Sequence, residues 1–386
     1  MKIHRCFATI VLALFACTLL WPMLASMIKL DAALGNIENR ELAQMPPLPR
    51  HYRQVADGIA QTNAYINDHF PLRAQMIEAD GHLKYRLFSQ LPGKDLYMGA
   101  NGRMFVGDIP YLCGETLDLA HSQAIAKSLS LNIRRSRPLY KTHVAFVVVP
   151  TAAVIYPEDL PGWLHRICQH NVPAAEKIMQ HVTVDTQALL YYPKNLMLAH
   201  KAQPAYYKHF FHWYGAMPGL VVDELLAGKF GLSKQQTLPV KTEKVVSDIS
   251  SNLAGMQFYD WMPVPDLDKA NVDYCEGIAC FPALRGRLRG LSPYRQYVSR
   301  QNPGQRRLLI ISDSFGGNLS VYATQYYRQI WSVPTNYLEQ TSDSQLAILK
   351  SAMRDFAADD LLFVIHDGNM TRAMQAQLMR LLDDEH

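Results

Sequence analysis

No stretch of this 386-residue chain is rich in lysine and arginine, and the formal net charge is only +4. A nucleic-acid partner therefore has no electrostatic support. Metal signatures are missing as well, since there is no CxxC pair and none of the 14 histidines stands in an HxxxH or HExxH pair. Internal repeats and low-complexity tracts are absent, which leaves no reason to expect a solenoid or a solvated tail. What is present is the composition of a folded globular protein, 49% hydrophobic and 19% charged.

Cysteine is scarce, and its placement is informative. Of the six, Cys6 and Cys17 fall inside an N-terminal apolar run, which leaves an even set of four: Cys113, Cys168, Cys275 and Cys280. In an exported chain such a set reads as two disulfides. The short spacing across a glycine-containing loop suits Cys275 with Cys280, leaving Cys113 with Cys168, although four cysteines allow three pairings. Export itself is signalled by the N-terminus. Lys2 and Arg5 precede a nearly uninterrupted apolar segment, residues 6–28, closed by Lys29 and Asp31. A segment of about 20 such residues can cross a bilayer, and positive charge on its short side keeps that side cytoplasmic. We read residues 1–29 as an uncleaved signal anchor; a cleaved signal peptide ending near Ala25-Ser26, after Pro22, is the alternative. Either places the rest outside the inner membrane, in the periplasm, with the anchor tethering it there.

Residues 30–53 are polar and punctuated by Pro46, Pro47 and Pro49, as in a spacer. The remainder, 54–386, is expected to be one α/β domain. A loose helical period runs through Tyr52–Leu91, a hairpin pattern through Leu96–Val106, and another helical period from His121 to about Ser136. Continuous apolar runs at Ala145–Val149, Arg307–Ile311 and Leu361–Ile365 have the look of strands buried on both faces, and Ser342–Phe356 is amphipathic with a capping residue in front. Strands alternating with helices imply a mainly parallel sheet with helices on both faces.

Two passages carry chemistry. The strand ending at Ile311 leads into Ser312-Asp313-Ser314-Phe315-Gly316-Gly317, followed by helix-compatible sequence from Asn318 to Tyr327. A serine in such a strand–turn–helix corner is exposed, and its alkoxide is favoured by the helix dipole and by nearby backbone N–H groups. Its base would be His212, in Tyr206-Tyr207-Lys208-His209-Phe210-Phe211-His212-Trp213-Tyr214. Tyr206, Tyr207 and Trp213 offer rings on which a sugar could stack, and His366-Asp367-Gly368-Asn369 ends the last strand at the edge where active-site loops gather.

In this order the pieces resemble the SGNH-hydrolase-like polysaccharide O-acetyltransferases of the alginate O-acetylation group, which pair an Asp-x-His-Trp motif with a later Gly-Asp-Ser-Phe/Tyr motif. Asn39-Arg40-Glu41-Leu42-Ala43, Phe70-Pro71-Leu72-Arg73, Gly99–Phe105 and Val148–Pro161 resemble further blocks of that family, so the similarity covers most of residues 39–370. The resemblance implies an SGNH-like α/β fold, Ser314 as nucleophile, His212 as general base and Trp213 as the motif tryptophan, with Asp313, Gly316 and Trp213 as the motif's oxyanion or substrate contacts. It also implies an acetyl group delivered by a separate membrane-bound O-acyltransferase and passed, without cofactor or metal, through an acyl-serine to an exported polysaccharide.

The departures are specific. Phe210 stands where the family has the aspartate that supports the histidine, Ser312 replaces a glycine, and Ser332-Val333-Pro334 stands where relatives have Asp-x-Arg. Asp223, Asp260 and Asp367 are the acids considered to stand in for that aspartate. The expectation is a serine O-acyltransferase or esterase on an exported polysaccharide. The alternative is a catalytically impaired subunit that binds polysaccharide or a partner in a secretion complex, and a purely structural envelope protein ranks last.

Overall fold

Three apolar runs become the centre of one sheet because their side chains feed two cores at once. In β3 (Tyr140–Val149), Val144, Phe146 and Val148 enter one core while Ala145, Val147 and Val149 enter the other. The strands β9 (Arg307–Ser312) and β11 (Ala358–His366) alternate in the same way. A strand covered on both sides has no polar face to show in its sequence, hence the uninterrupted apolar runs.

The computed structural model describes residues 42–48, 51–70, 72–88, 95–114, 117–250, 256–277, 294–336 and 338–383, with isolated positions at 9–13, 15–17, 20, 90, 91, 93, 253 and 280. Most of the expected anchor and spacer lies outside the described residues. Among the described residues, no helix is long and apolar enough to cross a membrane.

The described chain falls into two compact units. The smaller takes residues 1–94 and 246–258 and contains α1 (Val55–Asp68) and α2 (Arg73–Phe88), with Tyr85 edge-on to Phe258. The larger, 95–245 and 259–386, is the α/β unit. It opens with the hairpin of β1 (Leu96–Met98) and β2 (Met104–Val106). Among the described residues its main sheet has seven strands. Besides the three above these are β4 (Leu190–Tyr191), β7 (Val272–Glu276), β8 (Arg295–Ser299) and β10 (Gln329–Pro334), in the order β4-β3-β11-β9-β10-β8-β7. The first five in that order are parallel; β8 runs antiparallel to β10, and β7 antiparallel to β8, which returns β7 to the direction of the first five. A separate two-stranded sheet pairs β5 (Val240–Val246) with β6 (Tyr259–Pro265).

Helices cover both faces. On one lie α3 (Leu119–Arg135), α6 (Asp343–Phe356) and α7 (Arg372–Leu382), through residues such as Leu129, Leu349 and Leu378. On the other lie α4 (Met217–Asp223) and α5 (Gly316–Ser320), through Val221 and Leu319. Asp118 caps α3 and Ser342 forms a capping box with Gln345 on α6. The helix expected over Asn318–Tyr327 starts earlier and is shorter: α5 ends at Ser320 and a 3-10 turn, Tyr322–Gln325, follows. Gly316 can open it because a Cβ there would collide with Ser312 beneath.

Two disulfides tie the α/β unit, Cys113 with Cys168 and Cys275 with Cys280. Their presence is the chemistry of an exported protein.

Candidate active site

The parallel strands point their C-terminal ends to one edge, and there β9 delivers the Ser312–Gly317 turn. Ser314 is exposed although Asp313 and Phe315 on either side of it are buried. Its Oγ lies 2.7 Å from His212 Nε2, across 102 residues of sequence. That is the hydrogen-bonding distance a serine nucleophile and a histidine base would need.

The loop carrying His212 is held to the nucleophile turn by reciprocal bonds. Trp213 Nε1 donates to the Phe315 carbonyl at 2.8 Å, and Asn318 Nδ2 donates to the Trp213 carbonyl at 2.8 Å. Deeper in, Arg103 anchors the same loop. Its Nε donates to Asp159 at 2.8 Å, its Nη1 donates to the Tyr206 carbonyl at 2.6 Å, and its guanidinium lies 3.8 Å above the Tyr156 ring. The Tyr206 hydroxyl donates to the Pro150 carbonyl. Trp213 and Tyr206 are therefore buried clamps rather than surfaces for a sugar, which corrects the stacking role considered from sequence. Indole and phenol bury a large apolar body at the cost of satisfying one polar group, and each finds a carbonyl here.

Phe210 is buried in the acid's place, edge-on to Tyr207 at 6.2 Å and to Tyr214 at 5.0 Å. The three stand-in acids are engaged elsewhere. Asp223 accepts from Lys234 and the Tyr326 hydroxyl, Asp260 lies 3.5 Å from His209, and Asp367 accepts from the Ala175 N–H and the Tyr192 hydroxyl. His212 instead packs among rings, 4.8 Å from Phe211 and 4.8 Å from Phe315, centroid to centroid.

Asp313, considered from sequence as an oxyanion or substrate contact, is a buried acceptor. Its Oδ1 takes the Phe315 N–H at 3.0 Å, and its Oδ2 takes the His366 N–H at 2.8 Å and Asn369 Nδ2 at 2.7 Å. Burial pushes its carboxyl up, while these three donors and the nearby His212 pull it down. The same bonds join the end of β11 to the nucleophile turn, so His366 and Asn369 belong to the site. His366 stacks on Phe315 at 4.1 Å and its Nδ1 is 2.6 Å from the Tyr111 hydroxyl. Burial, with the neighbouring His212 adding to it, holds His366 well below the ordinary histidine range, so the ring is neutral. Tyr111 is pushed well above its ordinary value, first by burial and then by Asp313 and Asp367, and it keeps its proton. Tyr111 and Asn318 had no motif to mark them; only the fold brings them here.

Among the described residues, no group of three or more His, Cys, Asp or Glu side chains is arranged to hold a metal ion. The arrangement can transfer a proton from Ser314 to His212 and place the resulting alkoxide at the start of α5.

No family model matches the sequence, and no curated protein matches it. Among solved structures the chain is similar to a DHHW family protein from Eubacterium siraeum, at 13% identity and TM-score 0.46, with 74% of this chain and 97% of that one covered. It is similar also to PatB1 of Bacillus cereus carrying a sulfonyl adduct, at 11% identity and TM-score 0.46, covering 74% and 98%. A third is the O-acetyltransferase domain of Pseudomonas putida AlgJ, at 14% identity and TM-score 0.42, covering 74% and 99%. The roles assigned to Ser314 and His212 rest on the geometry of this chain.

Proposed function

We propose that this chain is a serine-dependent O-acetyltransferase or esterase acting on an exported polysaccharide in the periplasm, tethered to the inner membrane by residues 1–29. The observation that carries the reading is the 2.7 Å hydrogen bond between Ser314 Oγ and His212 Nε2 at the C-terminal edge of a parallel sheet. His212 takes the hydroxyl proton as Ser314 attacks the acyl carbonyl, and gives it to the departing oxygen. A sugar hydroxyl, deprotonated by the same imidazole, then attacks the acyl carbonyl, the bond to Ser314 Oγ breaks, and the imidazolium returns its proton to Oγ; water in the sugar's place makes the reaction a hydrolysis. The acetyl donor would be a separate membrane-bound O-acyltransferase, as the family resemblance implies.

The impaired-subunit alternative draws on Phe210. A direct Ser–His bond and a loop clamped through both the indole N–H and the backbone carbonyl of Trp213 favour the active reading, because a retired site has no need to keep either. The test is labelling by a fluorophosphonate probe and turnover of 4-nitrophenyl acetate. Ser314→Ala is expected to abolish both and His212→Ala to lower turnover by about a thousandfold or more. Equal labelling of the wild type and Ser314→Ala would sink the proposal.

A further inference from the structure

At a nucleophile turn of this kind, the N–H of the following residue ordinarily binds the negatively charged oxygen that forms when the serine attacks. Here that group is engaged by its own turn. The Phe315 N–H donates to Asp313 Oδ1 at 3.0 Å, and the Gly316 N–H donates to the Asp313 carbonyl at 3.2 Å. A charged side-chain donor beside Ser314 would take over that part of the oxyanion's binding.

Arg295 is the cation beside that turn. Because β8 is antiparallel to its neighbour, its first residue lies toward the edge where β9 and β10 end, with Arg295 paired to Ser332 and Ser332 to Ile310. The guanidinium reaches across to the first turn of α5 and lies on Gly317. A methyl group at 317 would run into Arg295 Nη1 and sit 2.9 Å from Cζ. Gly317 thus makes room for the guanidinium by having no side chain.

The arginine is held in plane from behind. Its Nε and Nη2 each donate to Glu276 Oε1 at 3.2 Å, and Glu276 Oε2 accepts from the Tyr274 hydroxyl at 2.5 Å. Glu276 follows Cys275, whose disulfide to Cys280 closes the short loop after β7. The Arg295 side chain is 25% exposed and the Glu276 side chain 42%. With the other edge of the fork on the carboxylate, Nη1 is the edge presented to the α5 turn.

We propose that Arg295 Nη1 is the charged donor that binds the oxyanion of the acyl-transfer step, with Glu276 as its positioning residue; this rests on the reading of Ser314 as nucleophile. As the Ser314 Oγ–carbon bond forms, the carbonyl π pair moves to oxygen and the Oγ proton to His212. The oxygen anion meets the Arg295 N–H. When its pair returns to reform the carbonyl, the bond to the leaving oxygen breaks, and that oxygen takes the proton from His212.

The experiment is 4-nitrophenyl acetate kinetics on the full-length chain, with binding of a phenylboronic acid, which forms an anionic tetrahedral adduct on a reactive serine. Arg295→Ala should lower kcat by about 10²–10³-fold with KM little changed, and weaken the boronic acid in parallel. Free guanidinium should restore part of the loss. Gly317→Ala keeps every charged group and moves only the arginine, and should cost about tenfold in kcat. Arg295→Lys, which retains a cation beside Glu276, provides the reading if Arg295→Ala does not fold, and should fall between Arg295→Ala and wild type. A wild-type kcat in Arg295→Ala or Arg295→Lys, with Ser314 still labelled by a fluorophosphonate, overturns this inference alone. An unlabelled wild type overturns it together with the reading on which it rests.

Discussion

Asp313 and Asp360 are buried to the same depth in one sheet, at 1% and 0% exposure, and lie toward its opposite edges. Asp360, near the start of β11, meets two positively chargeable groups. Arg306 Nη2 donates to it at 2.7 and 2.9 Å, His143 contributes Nδ1 at 2.8 Å and its N–H at 3.0 Å, and the Tyr327 hydroxyl donates at 2.7 Å. Asp313, just past the end of β9, accepts hydrogen bonds from neutral donors. A paired carboxylate fixes the fold where nothing has to happen. A carboxylate without a bonded cation keeps its field for the neighbouring imidazole, which on the proposed mechanism becomes positive only during the reaction. On the proposed reading the first edge serves stability and the second chemistry.

Removing each charge in turn would break or sharpen this contrast. Asp360→Asn leaves Arg306 without its buried partner and should lower unfolding free energy in urea by about 3 kcal/mol, near the low end for a broken buried pair because Arg306 keeps part of its side chain in water. Ester turnover at temperatures where the variant stays folded should be unchanged. Asp313→Asn should do the reverse. Its amide places a donor against the donors of the turn and removes the charge near His212, so kcat should fall by about a hundredfold, with the urea midpoint moving less than in Asp360→Asn. Loss of activity in the first variant and not the second would erase the distinction.

The smallest effect concerns Asp367, beside the same edge, whose carboxyl is pushed up to about 6 chiefly by burial. Its folded value lies above the unfolded value of about 3.9. The native state therefore binds the proton more tightly, and stability contributed by this group is lost as pH rises from about 4 to about 6. Compared with Asp367→Asn, the wild type should lose about 2–3 kcal/mol across that window and none above it. A relative stability that instead rose through the window would contradict the raised value.

Much of the fold was legible because its causes are local. The apolar runs at Ala145–Val149 and Leu361–Ile365 mark strands covered on both faces, and the hairpin around Gly102 and the cap at Ser342 lie where their turn and capping residues put them. The short α5 was not legible, because what allows a glycine start is the packing of Gly316 on Ser312. Within the site, Ser314 and His212 were readable through motif spacing. Arg295, Tyr111, Asn318 and the clamp role of Trp213 were not, since each acts on a partner at least 100 residues away or on a neighbouring strand.

The sequence by itself determined which residues could do chemistry: a serine at the end of a buried strand, a histidine among aromatics, and a phenylalanine where a supporting acid is expected. Tertiary structure alone decided what surrounds them. Parallel strands end at one edge and an antiparallel neighbour begins there, so residues distant in the chain converge on the Ser314 turn, and burial then sets which of them carry charge. Spacing along a chain encodes the first kind of information. The second exists only once the sheet has closed around the turn.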